Sequence, residues 1–97
     1  MEGYVITMKE QEGNKFETAI LGVFENKEDA WHLLFEFYNT NEGKFEKQSL
    51  NQFENSEGAW VMELVGRKGD VTRTIRGEYI ADTKKVASLK KLIELNW

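Results

Sequence analysis

The chain has 97 residues, 40% hydrophobic, 12% aromatic and 31% charged, with a net charge of −4. That is one domain's worth of sequence, here read as a single unit over 1–97, and its Trp, Tyr and Phe content excludes a disordered chain. No run of about 18 apolar residues could span a membrane, no basic stretch leads into an apolar one as in an export signal, and zero Cys excludes disulfides and thiolate metal sites, so the cytoplasm is the expected location.

Residues 3–9 alternate, with Tyr4, Ile6 and Met8 on one face, and predict a strand. A polar turn containing Gly13 and Asn14 follows. A second strand is expected over 16–24, with Phe16, Thr18, Ile20, Gly22 and Phe24 on one face and Ala19, Leu21 and Val23 on the other. Asn26 suits an N-cap, and Glu28 and Asp29 stand in the first turn, where the helix dipole favours acids. The helix then runs to Tyr38 and residues 39–43 end it. Residues 44–57 fit neither period, because Phe45, Leu50 and Phe53 are spaced by five and three. The reading there is a short strand over 44–48 and then a turn or helical turn.

Residues 59–66 form a nearly continuous apolar run that suits a central strand, and 67–70 a turn. Residues 71–80 alternate, with Val71, Arg73, Ile75, Gly77 and Tyr79 on one face and Thr72, Thr74, Arg76, Glu78 and Ile80 on the other. Asp82 caps a last helix over 83–95, whose buried stripe is Val86, Leu89, Leu92 and Ile93.

Shifted by 56 positions, the start of the chain lies on its end: Val5 meets Val61, Gly13 meets Gly69, Thr18 meets Thr74, Leu33 meets Leu89, and the caps Asn26 and Asp82 coincide. The order is ββα-(β)-ββα, a pseudo-repeat of 3–40 and 59–96. The fold expected is α+β, an antiparallel sheet of four or five strands with two helices on one face. The junction over 22–30 has the style of small bacterial and phage proteins, a likeness that transfers no function.

Several chemistries lack their residues. One His (His32) and no Cys cannot build a zinc site, and no G-x-S-x-G elbow supports a serine nucleophile. Gly66, Arg67, Lys68 and Gly69 lack the spacing of a phosphate-binding loop. No catalytic residue, metal or cofactor is assigned, and no enzyme is expected.

Two surfaces remain. Residues 1–57 carry five Lys against twelve acids, a balance of −7, whereas 58–97 carry eight Lys and Arg against five acids, a balance of +3. Arg67, Lys68, Arg73 and Arg76 fall on one hairpin and would make a nucleic-acid surface, although the net charge of −4 opposes phosphate binding. The first helix, at 100° per residue, carries an apolar arc of about 200°, wider than a surface helix requires. Trp31, Phe35 and Tyr38 make its surplus side. Either residues 44–57 cover that side or a partner does, since exposed aromatic clusters mark interfaces. The expected function is therefore a small, non-enzymatic protein-binding or regulatory domain acting through the aromatic helix face. The partner would be another protein or a second copy as a homodimer; nucleic-acid binding is the alternative, and no membrane is involved.

Overall fold

The computed structural model describes residues 3–95. In chain order the elements are β1 (Gly3–Glu12), β2 (Lys15–Phe24), α1 (Lys27–Thr40), β3 (Lys47–Glu54), β4 (Trp60–Lys68), β5 (Val71–Ile80) and α2 (Thr83–Leu95). The five strands form an antiparallel sheet in the order β2-β1-β5-β4-β3. This is the α+β class, with the ββα-β-ββα order expected.

Both long hairpins turn on two residues, Gly13-Asn14 and Gly69-Asp70, where the glycines take φ of 58° and 57°, a region that a Cβ disfavours. Each helix starts on its expected cap. Asn26 Oδ1 accepts from the Asp29 amide at 3.0 Å, and Asp82 Oδ1 accepts from the Lys84 and Lys85 amides at 3.0 and 3.1 Å. α1 ends at Asn41, which takes the left-handed conformation (φ 43°, ψ 48°).

The strand expected over 44–48 lies later, at Lys47–Glu54, and no helical turn follows it. Its hydrophobic pattern is weak because β3 is an edge strand, with most of its residues exposed.

One face of the sheet carries Ile6, Met62, Leu64 and Ile75, which close a core with Ala30 and Leu34 of α1. The other face carries Val5 and Val61 and is met by Val86 of α2, all three essentially inaccessible. Val86 lies over Gly3, which shares its face with Val5. The expectation of two helices on one face is therefore corrected: α1 and α2 pack on opposite faces. The cause is visible in β2. Ile6 pairs with Gly22 but Thr7 pairs with Ile20, so Leu21 is a bulge. Up to Ile20 the equivalent positions of the two hairpins share a face; beyond the bulge they do not, because a slip of one residue exchanges the faces. β2 thus leaves the sheet toward one side and the unbulged β5 toward the other.

α2 is anchored by Val86; Leu89, expected in the core with it, is only half-buried. The four apolar positions read as one buried stripe therefore divide, with Leu92 49% exposed.

Candidate functional site

α1 lies over β2, β1, β5 and β4. Ala30 and Leu34 point straight into the sheet, and Leu33 leans toward β2, over Gly22. The side opposite Leu33 carries Trp31, Phe35 and Tyr38 and is turned toward β3. Two contacts fix this orientation. Gln48 of β3 donates from Nε2 to the Tyr38 carbonyl at 3.1 Å, and Leu50 of β3 packs against the same core as Trp31 and Phe35. The rings form a continuous strip: Trp31 and Phe35 are 4.0 Å apart between centroids, Phe35 and Tyr38 6.4 Å. His32 meets the Trp31 ring edge-on at 5.5 Å and is otherwise exposed.

The structure thus brings the three aromatic residues together and covers them in part. Trp31 and Phe35 are half-buried, and Tyr38 is 38% exposed. The cover comes from β3 and the core edge. Phe45, which the sequence suggested for this task, lies elsewhere.

Phe45 is 7% exposed and sits on Gly66, where any Cβ would strike the ring. Asn41 holds it by two reciprocal bonds: Asn41 Oδ1 accepts from the Phe45 amide and Asn41 Nδ2 donates to the Phe45 carbonyl, both at 3.0 Å. The Arg73 guanidinium lies over this ring at 4.2 Å and over Phe37 at 5.9 Å. Arg73 is 8% exposed, and burial pulls its pKa below the ordinary arginine value, while the charges of Glu10 and Glu42 act in the opposite sense.

The four basic residues proposed as one surface are scattered, which corrects that expectation. Arg73 is buried under α1. Arg76, three positions on, projects from the opposite face and pairs with Glu63 at 3.2 Å and Glu78 at 3.6 Å. Lys68 donates to the Gly43 carbonyl at 3.2 Å, and Arg67, its neighbour on the strand, points to the other face and is exposed. Two are engaged by acids or carbonyls and one is in the core, so no basic patch forms from them.

β3 is the element the sequence hid. It forms one edge of the sheet, its pairing with β4 carries no bulge, and the chain has no Pro. Edge strands are commonly blunted by such devices. At the opposite edge β2 carries the bulge and is packed by both helices. A further groove of about 1000 Å³ lies on the α2 side of the sheet, between Leu92 and Ile93 and a floor that includes Thr7, Ile20 and Arg76.

Among the described residues no group of three or more His, Cys, Asp or Glu side chains is placed to hold a metal, and no helix is long and apolar enough to cross a membrane. Comparison with protein-family models, with curated proteins and with solved structures finds no match.

Proposed function

We propose that this protein is a non-enzymatic binding domain that captures an extended segment of a partner polypeptide along β3. The observation that carries the reading is the juxtaposition of a smooth, uncovered edge strand with the aromatic side of α1. A strand added to β3 would satisfy the outward backbone groups of residues 47–54. Its side chains on the α1 face would lie beside Trp31, Phe35 and Tyr38, which offer large, partly prepared contact area at low entropic cost. Backbone bonds would supply affinity and the aromatic wall the choice of side chain. The cytoplasm is the compartment we assign, and a second copy of the chain pairing β3 to β3 would be a special case of the same surface. The dispersal of Arg67, Lys68, Arg73 and Arg76 gives nucleic acid no comparable support.

The test is selection of linear peptides against the folded protein, followed by mapping of the bound peptide through amide shifts. The expected result is a peptide whose shifts fall on residues 47–54 and on the Trp31 indole. Tyr38→Ala should weaken it by roughly tenfold, the loss of one good aromatic contact, without altering the melting curve. Peptides that map to the α2 side, or affinity indifferent to Tyr38, would contradict the proposal.

A further inference from the structure

A second concavity lies at the end of the sheet where β1 begins and β4 begins. We infer that the hollow bounded by Tyr4, Trp60, Tyr79 and Glu57 binds an organic cation, specifically a quaternary ammonium head. Tyr4 is the hub of the aromatic group. Its ring centroid is 5.7 Å from Trp60 at an interplanar angle of 73° and 5.3 Å from Tyr79 at 53°. Rings set at such angles form walls around a space, whereas parallel rings would fill it. The hollow measures about 440 Å³ and opens to solvent, with Gly58 and Ala59 completing its lining.

The electrostatics favour a cation. Ring faces carry the negative lobe of the aromatic quadrupole, and Trp is the strongest such surface. Glu57 is the one charged side chain in the lining. Glu54 stands directly across from Trp60 in the β3–β4 register and adds a second carboxylate at the same end. No Lys or Arg lines the hollow.

The rim is also held in place. Asn55 Oδ1 accepts from the Glu57 amide at 2.9 Å and the Ala59 amide at 3.0 Å, and the Asn55 backbone bonds Gly58 and Ala59, each at 2.9 Å. Four bonds therefore fix the loop that carries Glu57, so that ligand binding need not order it. A primary ammonium brings three N–H donors, each wanting an acceptor. A quaternary ammonium brings none and presents an apolar skin around its charge, which suits walls made mostly of rings.

The experiment titrates choline, and in parallel its neutral carbon isostere dimethylbutanol, into the protein while amide and indole N–H resonances are followed. Choline should give saturable shifts at the Trp60 indole and the Ala59 amide; the isostere should not saturate. A peptide carrying trimethyllysine, added in a separate arm, distinguishes a polypeptide-borne head from a free one, and saturation by either supports the inference. Trp60→Leu should abolish the effect. Because Trp60 also packs on the core, the deciding variant is Glu57→Gln, at an exposed loop position, which should weaken choline several-fold and leave the fold intact. Equal response to choline and its isostere, no saturable shift, or unchanged affinity in Glu57→Gln would each overturn the inference.

Discussion

The Arg73 guanidinium lies 4.2 Å from the centre of the Phe45 ring, in a corner where neither residue was expected. Phe45 closes the end of the core beyond the last turn of α1, and Arg73 brings a positive charge there; α1 has no basic residue of its own in that turn. Phe45→Ala should cost about 3–5 kcal/mol, since a nearly buried ring is removed from a tight seat. Arg73→Met should leave stability within about 1 kcal/mol of the parent, because it replaces a buried charge with an apolar chain of similar length. Arg73→Lys should be the worse change, by about 1–2 kcal/mol, because a compact, strongly hydrated ammonium cannot lie flat on the ring. Chemical denaturation of the three variants measures this, and a lysine variant as stable as the parent would show that the stacking contributes nothing.

Anchoring of α2 rests on Val86. Val86→Ala is expected to cost about 2 kcal/mol and Leu89→Ala less, despite the larger side chain removed, because cavity cost follows burial. Melting curves of the two variants test the order. A larger loss at Leu89 would mean that α2 meets the sheet through a different stripe.

Leu21 sets the side from which α1 leaves the sheet. Removing this one residue would give β2 an unbroken register with β1 and exchange the faces of Gly22, Val23 and Phe24. The expected outcome of the deletion is loss of the cooperative melt. A deletion variant that melts as the parent does would show the bulge to be incidental.

The basic side chains should not retain nucleic acid. Arg76 is half-exposed and shared between Glu63 and Glu78, so Arg76→Ala is expected to change stability by less than about 1 kcal/mol. Mobility-shift assays at about 50 mM salt, where phosphate contacts are strongest, should show no retention. Retention that weakens steeply with salt would reverse this expectation.

What the residues revealed in advance follows a physical division. Local signals were legible: the caps Asn26 and Asp82, the glycine turns at Gly13 and Gly69, and the alternation of β5. That alternation already set Arg73 and Arg76 on opposite faces, and grouping them by charge overrode it. Non-local facts were not legible. The Leu21 bulge is defined by its partner strand, so the repeat-based placement of both helices on one face failed. β3 has no apolar face of its own because its environment is an edge. The strip of Trp31, Phe35 and Tyr38 was visible as an excess of apolar arc, but only the sheet order shows that it overlooks a free strand.

The most direct measurement is amide hydrogen exchange along β3, with and without a selected peptide. The account predicts that alternate amides between residues 47 and 54, those pointing away from β4, exchange quickly in the free protein and slow by at least about tenfold in the complex, the mark of a newly paired edge. The amides of β2 at the other edge should be unchanged. Protection confined to β2 or α2, or a complex in which every β3 amide exchanges as it does in the free protein, would contradict it.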